Sequence, residues 1–331
     1  MKAFVEKIYR KIRYPLNDFI CTVGGKDQLL RYVSGKRIMV YHGVDAVGLQ
    51  DFNSRFISEY SFEQQIRYYK ENFNIVPLKE YYESTLPTDR LTIALTFDDG
   101  YKNNYTRVLP ILEKYQVPAT FFVTAIREKG YDYLWTDFYD MLRFKARRLV
   151  FKGESYSQNQ HRVFYSQKKA DPLHLELRKL PFCEIEEFMQ EMEAQLGLKM
   201  SDFPEDYYLQ MTEGQIAAMA KSPYATIGSH THTHADLTRR PLDEVIEEMR
   251  FSKQWLTRIT NTEIDSFAFP YGLYNLDVVK AANELGYRRQ LPGNLNCESD
   301  EQIPELQKRF GNNPFLSVNN QIWCLLNERY L

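Results

Sequence analysis

Residues 91–100 have the sequence LTIALTFDDG, and this stretch decides the fold class. The run of seven Leu, Thr, Ile, Ala and Phe residues predicts a buried strand. The strand ends abruptly at the acidic pair Asp98 and Asp99, and Gly100 indicates a tight turn directly after it. A buried strand that ends in polar residues is typical of parallel α/β folds, which keep their active sites at the carboxyl ends of the strands.

The alternation of strands and helices continues on both sides of this stretch. The predicted strands lie at 37–42, 74–78, 119–124, 225–228, 266–269 and 287–291. The predicted helices lie at 61–72, 108–115, 212–221, 241–259 and 275–285, with Thr212 as an N-cap. Short connections between such elements favour parallel βα units, arranged as a barrel or as an open sheet.

Composition excludes several classes of protein. The 331 residues are 44% hydrophobic and 26% charged, which is typical of a soluble globular protein, and the net charge of −2 argues against a polycation that binds nucleic acid. The four cysteines include no Cys-x-x-Cys pair, so neither a disulfide framework nor a zinc ribbon is predicted. No apolar stretch approaches the ~20 residues of a spanning helix, and no secretory signal pattern is present. We therefore expect a cytoplasmic protein.

Residues 1–36 form a basic segment that precedes the predicted domain at 37–331. The segment contains eight Lys and Arg residues against three acids, and its apolar residues recur at helical spacing. This pattern predicts a basic amphipathic helical arm. Such a helix either packs on its own domain or contacts an anionic membrane face through residues 1–20, and the sequence leaves both possibilities open.

A charged insertion at about 143–210 interrupts the alternation. Residues 143–169 contain eight Lys and Arg residues and one acid, whereas residues 170–206 contain ten acids and three basic residues. We expect this insertion to be partly helical, with its two halves attracting each other. It is either a solvated lid or a basic contact surface for an anionic substrate.

Candidate metal ligands follow the strand predicted at 225–228. His230 and His234 are four residues apart, so their imidazoles share one face if the chain becomes helical after Ser229. Two imidazoles and one carboxylate form the ligand set of a catalytic zinc that keeps a position for water. Asp99 is the natural third ligand, whereas His232 would face elsewhere.

The second carboxylate of the acidic pair suggests a catalytic base. Asp98 does not need to bind the metal, so it can accept a proton from water that the metal activates. Two neighbouring carboxylates at a buried strand end repel each other unless a cation lies between them and the histidines. This charge argument favours a metal site over an ordinary strand-to-helix turn.

Three motifs make a family resemblance visible. The sequences TFDDGY at 96–101, GSHTHTH at 228–234 and FAFPYG at 267–272 resemble the first three motifs of polysaccharide deacetylases, a family of carbohydrate esterases. The sequence VPATFF at 117–122 is similar to the second core strand of that family. The resemblance extends in order from Arg37 to Arg309 and is interrupted only by the insertion.

The resemblance implies a fold and a set of roles. The expected fold is a distorted (β/α) barrel with an insertion. Asp98 is expected to be the base, and the backbone N–H of Tyr271, next to Gly272, is expected to help hold the oxyanion. The implied ligands of one divalent ion are Asp99, His230 and His234. Zinc is the expected ion, and cobalt, nickel and manganese are the alternatives.

Two departures from the family pattern matter. Ala268 stands where many members have an arginine that orients the catalytic aspartate, and Arg309 is the candidate that supplies this charge from a later segment. Many members also end with a histidine that acts as the general acid, but no histidine follows His234 here. His42, in the sequence MVYHGV at 39–44, resembles the pattern that opens the biofilm-polysaccharide deacetylase branch. We therefore predict His42 as the general acid rather than as a simple strand cap.

The predicted function is the removal of N-acetyl groups from amino sugars by a metal-dependent hydrolase. Its substrate would be an oligosaccharide, a polysaccharide or a lipid-linked sugar. Two alternatives remain: a hydrolase of another small amide, such as a formamido sugar or a ureide, and a non-catalytic carbohydrate-binding protein on the same fold. The oligomeric state stays open.

Overall fold

The computed structural model describes residues 2–25 (with side chains from residue 11), 29, 34–83, 90–166, 168 and 171–330. The helices of these residues are α1 (Lys2–Thr22), α2 (Glu59–Asn72), α3 (Leu78–Tyr82), α4 (Leu109–Tyr115), α5 (Trp135–Lys145), α6 (Leu173–Leu177), α7 (Phe182–Leu196), α8 (Glu213–Met219), α9 (Leu242–Thr260), α10 (Leu276–Glu284) and α11 (Val318–Asn327). The strands are β1 (Gly35–Tyr41), β2 (Gly43–Asp45), β3 (Phe56–Ser58), β4 (Asn74–Ile75), β5 (Leu91–Phe97), β6 (Ala119–Val123), β7 (Arg148–Phe151), β8 (Glu154–Gln158), β9 (Phe164–Tyr165), β10 (Ala225–Ser229), β11 (Ser266–Ala268), β12 (Arg289–Leu291) and β13 (Phe310–Gly311).

A curled parallel sheet forms the barrel. Its strands pair in the order β12–β11–β10–β6–β5–β1–β13, and β4 pairs in parallel with the first half of β5. The strands β12 and β13 are the edges of this sheet, and the backbone N–H of Arg309 donates to the carbonyl of Gly293 between them at 3.1 Å. The predicted distorted (β/α) barrel is confirmed.

The central strand β5 ends in register with its neighbours β1 and β6. All seven of its residues are buried, and Phe97 at its end lies opposite Tyr41 of β1 and Phe121 of β6. The Phe97 ring stacks on both neighbours, with centroid distances of 5.2 and 5.0 Å. This aromatic layer closes the core directly beneath the carboxyl ends of the three strands, so polar residues that follow them meet in one place.

One predicted strand is wrong in part. Only Asn74–Ile75 of the predicted strand at 74–78 is extended, and Leu78 already begins α3. Pro77 lies between them, has no N–H for a sheet ladder, and serves as the N-cap with φ −55°. The predicted cap of α8 is confirmed, because the Thr212 hydroxyl accepts from the Gln215 N–H.

The insertion has its own core beside the barrel. It leaves the barrel at Asp132 and returns at Gln210, whose N–H donates to the Asp132 carbonyl at 2.9 Å. Its buried side chains begin with Trp135 of α5, before the predicted start at 143. Helices α5 and α7 enclose this core with an antiparallel sheet of β7, β8 and β9.

The two halves of the insertion pair through opposite charges, as the sequence predicts. Lys152 in the turn between β7 and β8 forms an ion pair with Glu184 of α7. Lys145 at the end of α5 pairs with Asp202 at 3.3 Å. These pairs are exposed, so they orient the halves and contribute little free energy compared with the apolar core between them.

Within the basic N-terminal segment, Lys2–Thr22 form helix α1, which packs on the barrel. The Asn17 amide donates to the Asn320 side chain of α11 at 3.0 Å in a buried contact, and the Arg13 guanidinium lies over the Trp323 ring. The opposite face of α1 is exposed. Within the described residues, no helix combines the length and the apolar character needed to cross a bilayer.

Candidate active site

One pocket of about 470 Å³ lies at the carboxyl ends of the barrel strands. The barrel supplies one wall, and the insertion supplies the other. All eight predicted site residues line this pocket, namely His42, Asp98, Asp99, His230, His234, Tyr271, Gly272 and Arg309. The parallel sheet brings them together because each follows or precedes a strand end on the same edge.

The turn after β5 aims Asp99 at the two histidines. Asp99 has φ 74° and Gly100 has φ 84°, so the chain reverses in the left-handed region immediately after the strand. A side chain at position 100 would also place its Cβ 2.9 Å from Val123. The result is that the Asp99 Oδ1 lies 3.5 Å from the His230 Nε2 and 3.4 Å from the His234 Nε2.

The histidine segment is an irregular loop, so the helical turn after Ser229, on which the shared-face argument was conditional, does not form. Thr231 and His234 have φ values of 68° and 60°, and the Thr231 hydroxyl accepts from the His234 N–H at 3.0 Å. A left-handed residue at each of these positions bends the loop back on itself. The two imidazoles still face the same point, although the local geometry that aligns them differs from a helix.

Glu248 of α9 anchors this loop through hydrogen bonds. Its carboxylate accepts the backbone N–H groups of His232 and Thr233, both at 2.9 Å. The Thr233 hydroxyl donates to the same carboxylate at 2.6 Å. These bonds give acceptors to backbone donors that find no backbone partner in the irregular loop.

Hydrogen bonds fix the rings of both histidines. The His230 Nδ1–H donates to the Ala268 carbonyl at 2.8 Å, and the His234 Nδ1–H donates to the Tyr271 hydroxyl at 3.2 Å. Each Nε2 is therefore left with a lone pair that points towards Asp99. Carbonyl and hydroxyl partners of this kind are the usual supports of metal-binding imidazoles.

The three side chains fit a divalent metal ion. Ligand atoms of Asp99, His230 and His234 all lie within 4.8 Å of one another. The two nitrogen–oxygen distances of 3.4 and 3.5 Å match ligands that sit ~2.0–2.1 Å from a common ion at tetrahedral angles. Burial alone would raise the pKa of Asp99, but its interactions with His230 and His234 hold that pKa well below its ordinary value. A permanently ionised carboxylate is what a metal site requires.

His232 faces away from this centre, as predicted. Its Nε2 lies 3.0 Å from the Glu128 carboxylate, and its ring stacks on Phe251 at a centroid distance of 4.0 Å. The imidazole is thus part of the support behind the loop.

Arg309 clamps Asp98 with two parallel hydrogen bonds. The guanidinium nitrogens lie 2.7 and 2.8 Å from the two carboxylate oxygens, and both side chains are buried. Burial alone would raise the pKa of Asp98, but Arg309 and then His230 outweigh it, so this pKa lies below its ordinary value. Arg309 therefore occupies the place next to Asp98 for which the sequence made it the candidate.

His42 lines the pocket from the end of β1. Its backbone carbonyl accepts from the Asn104 amide at 2.8 Å, which anchors the residue. Burial lowers the pKa of His42, and the charges of Asp99 and Asp98 oppose that shift. Burial outweighs the two carboxylates, so the pKa of His42 lies below its ordinary value. The role of His42 as the acid stays a prediction.

The sequence offered the insertion as a lid or as a contact surface for substrate, but it identified neither the insertion residues that line the pocket nor one hydroxyl. The insertion wall includes Trp135, Tyr139, Arg143, His174 and Arg178. Arg178 was detectable as one of only three basic residues in an acidic half of the insertion. The bond from the Tyr271 hydroxyl to His234 had no signal in the sequence, because only the fold brings these two side chains together.

A family model for polysaccharide deacetylases matches residues 85–146 and 188–289. The chain belongs to the polysaccharide deacetylase family. The matched segments contain the two aspartates, both histidines and Tyr271, and the unmatched stretch between them, 147–187, lies inside the insertion.

Two curated members of the polysaccharide deacetylase family match over short segments. A poly-β-1,6-N-acetyl-D-glucosamine N-deacetylase of Escherichia coli K12 is 36% identical over 63 residues, which are 18% of this chain and 9% of that protein. A peptidoglycan-N-acetylmuramic acid deacetylase, PdaA, of Bacillus subtilis is 58% identical over 39 residues, 12% of this chain and 15% of that protein. The chain thus matches less than a fifth of the length of each relative.

Solved structures share the fold over most of the chain. The Streptococcus pyogenes deacetylase PplD, in complex with acetate, aligns with a TM-score of 0.53 and 20% identity, covering 91% of this chain and 100% of that one. IcaB from Ammonifex degensii aligns with a TM-score of 0.55 and 16% identity, covering 89% and 98%. At these identities the likeness establishes the deacetylase barrel.

Proposed function

We propose that this protein is a metal-dependent hydrolase that removes N-acetyl groups from amino sugars in an oligosaccharide, a polysaccharide or a lipid-linked sugar. One observation carries the proposal: the Arg309-clamped carboxylate of Asp98 lies in the same pocket as three converging metal ligands. Membership of the polysaccharide deacetylase family supports the same activity.

Asp99, His230 and His234 would hold the ion, for which we propose zinc. When bound, such an ion supplies Lewis acidity, which polarises the acetyl carbonyl and lowers the pKa of water. Asp98 remains ionised because Arg309 lowers its pKa, so it can accept the proton of the attacking water. The clamp also prevents Asp98 from swinging towards the ligands.

His42 and the turn at Tyr271 complete the proposed chemistry. The amide nitrogen must be protonated before the amine can leave, and His42 is the pocket histidine of the barrel wall that no ligand role uses. The backbone N–H of Tyr271 would stabilise the negative oxygen that develops on the acetyl group. Gly272 permits this turn, because a Cβ there would lie 2.6 Å from the Gly293 nitrogen.

Acetate release tests the proposal directly. The zinc-loaded protein is incubated with N-acetylglucosamine oligomers of increasing length, and acetate is measured enzymatically. We expect acetate from the wild type and from the matched control Asp277→Asn, whose side chain is exposed on α10. Asp98→Asn should lose at least about 100-fold in rate because the base is gone.

The rival functions give different products. A formamido sugar would yield formate, and a ureide would be cleaved at its acyl C–N bond to a carboxylate and a urea group, in each case with loss of the reaction in Asp98→Asn. Binding of the oligomers without release of any product would show a carbohydrate-binding protein. Either result, in the absence of acetate, overturns the proposal.

We also propose that α1 contacts an anionic membrane surface. Ile12, Leu16, Phe19 and Val23 are spaced so that they lie on one helix face, and they are 43–63% exposed. Lys11 is exposed on the same helix, and the surrounding segment is basic. An apolar face with cationic residues beside it is typical of helices that lie in an anionic interface.

Flotation with vesicles tests this contact. We expect the full chain to float with phosphatidylserine-containing vesicles at low salt and to be released as salt rises. Phe19→Ser should weaken flotation, whereas Tyr60→Ser, which removes an exposed aromatic from α2, should not. Equal flotation of both variants would leave α1 with its packing role alone. The cytoplasmic location stays a prediction.

A further inference from the structure

Arg178 differs from the other arginines of the pocket because it contacts an aromatic ring, whereas they contact carboxylates. It lies just after α6 in the insertion, and its guanidinium carbon is 3.8 Å from the centre of the Tyr271 ring. The other pocket arginines face carboxylates: Arg309 pairs with Asp98, and Arg55 and Arg143 share Asp140. Among the described residues, no carboxylate forms an ion pair with Arg178.

Stacking on Tyr271 leaves the hydrogen-bonding edge of Arg178 available. A guanidinium that lies flat on an aromatic ring uses its face for the contact, while its N–H donors point outward in its own plane. The ring also restricts the side chain, so less conformational entropy is lost when a ligand binds. Arg178 is half-buried, so its donors still reach the pocket.

The field at this wall is positive. Burial lowers the pKa of His174, and Arg178 and Arg143 lower it further. An imidazole with a lowered pKa and a guanidinium that pairs with no carboxylate of the described chain therefore line the pocket together. Such a surface attracts an anionic group and gains nothing from a neutral sugar.

The position of Arg178 relates this surface to the reaction. Tyr271 lies between Arg178 and the proposed metal site, because its hydroxyl contacts the His234 Nδ1 at 3.2 Å and its ring lies 4.7 Å from the His234 ring. A group bound by Arg178 would thus belong to the sugar under attack or to its direct neighbour.

We propose that Arg178 binds an anionic oxygen group of the substrate, so that the protein selects an acidic amino-sugar derivative over a neutral one. This inference rests on the proposed function, since it names the substrate class of the same pocket. Carboxylate and phosphate share the chemistry, because both accept two parallel hydrogen bonds from a guanidinium. A sugar carboxylate and a sugar phosphate are the two possible sources.

Binding measurements test the inference without requiring turnover. Calorimetry with the zinc-loaded full chain compares three probes: N-acetylglucosamine, N-acetylmuramic acid as the carboxylate source, and N-acetylglucosamine 1-phosphate as the phosphate source. We expect the wild type to bind at least one acidic probe more tightly than the neutral sugar. Arg178→Ala should reduce the affinity for that acidic probe by about 10- to 100-fold and leave the affinity for the neutral sugar unchanged.

Two further variants make the result specific. Arg148→Ala removes the same charge from an exposed strand of the insertion and should change nothing. Arg178→Lys keeps the charge without the planar fork and should recover only part of the affinity. Metal content is measured for each variant, because a loss of zinc in Arg178→Ala would mean that Arg178 acts through Tyr271 and His234.

The outcomes separate the two proposals. Equal affinity of the wild type for acidic and neutral probes, or an equal loss of both in Arg178→Ala, overturns the role of Arg178. Absence of acetate release, with tight Arg178-dependent binding of an acidic probe, overturns the deacetylase proposal while leaving an anion-binding pocket.

Discussion

The charged side chains on the barrel wall and on the insertion wall of the pocket have different partners. On the barrel wall, Asp98 is clamped by Arg309 and Asp99 faces two imidazoles, so each charge already has a partner within the protein. On the insertion wall, Arg178 lies over the Tyr271 ring and forms no ion pair with a carboxylate of the described residues. Paired and buried charges are rigid and suit chemistry, whereas a half-buried charge without a partner suits ligand recognition. Under the two proposals, the barrel wall would perform the chemistry and the insertion wall would select the substrate.

Removing a metal ligand should produce the largest effect. We expect His234→Ala to lose the ion and, with it, activity on every substrate, whether acidic or neutral. The fold should survive because the barrel core lies beneath the strand ends. Mass spectrometry measures the metal content, and circular dichroism shows whether the fold survives. His161→Ala, in an exposed turn of the insertion, is the control. Full metal stoichiometry in His234→Ala would contradict the assignment of His234 as a metal ligand.

Removing the predicted acid should reduce rate without removing metal. His42→Ala is expected to lose roughly 10²–10⁴-fold in kcat on an N-acetyl amide, because an amine leaves poorly unless it is protonated. An activated acetyl ester, whose leaving group needs no proton, should lose much less. Steady-state kinetics on both substrates give the ratio. Equal losses on amide and ester would remove His42 from the role of acid.

Loosening the support of the histidine loop should weaken the metal site and spare the insertion wall. We expect Glu248→Ala to reduce metal affinity by roughly 10- to 100-fold, since two backbone N–H groups of the loop lose their acceptor. A chelator competition titration measures the change. Glu247→Ala is the matched control, because Glu247 is exposed on the same helix and pairs only with Arg250 among the described contacts. Similar affinities for the two variants would contradict the supporting role.

The two walls are joined by a buried ion network. Arg55 contacts Asp137 at 2.6 Å and Asp140 at 2.9 Å, both on α5 of the insertion. The Tyr101 hydroxyl, just after the catalytic turn, donates to Asp137 at 2.7 Å. Burial raises the pKa of Asp137 to about 8, although Arg55 opposes the shift.

This raised pKa predicts a slope in stability with pH. An unfolded aspartate has a pKa of ~3.9, so between about pH 4 and pH 8 the folded protein holds a proton that the unfolded chain has released. The contribution of Asp137 to stability is therefore fully present below pH 4 and is lost as pH rises towards 8. Thermal melts of Asp137→Asn should decline less over this range than those of the wild type or of Asp277→Asn. Parallel curves would show that Asp137 does not titrate there.

The linear sequence determined the barrel and the part of the site that lies at its strand ends. Buried runs such as 91–97 specify parallel strands, and the carboxyl ends of parallel strands share one edge. The pair Asp98 and Asp99 could therefore be placed beside His230 and His234 by spacing and chemistry alone. The family motifs contain these same four residues, so the resemblance and the spacing argument point to one site.

Tertiary structure decided the contacts that cross the chain. Arg309 reaches Asp98 across 211 positions, and Arg178 reaches Tyr271 because the insertion folds back over the pocket. The loop that carries the histidines is not helical, and the Glu248 carboxylate of a later helix accepts two of its backbone N–H groups. Sequence periodicity reports which face of an element is buried, whereas the partner of each polar group depends on where distant elements pack.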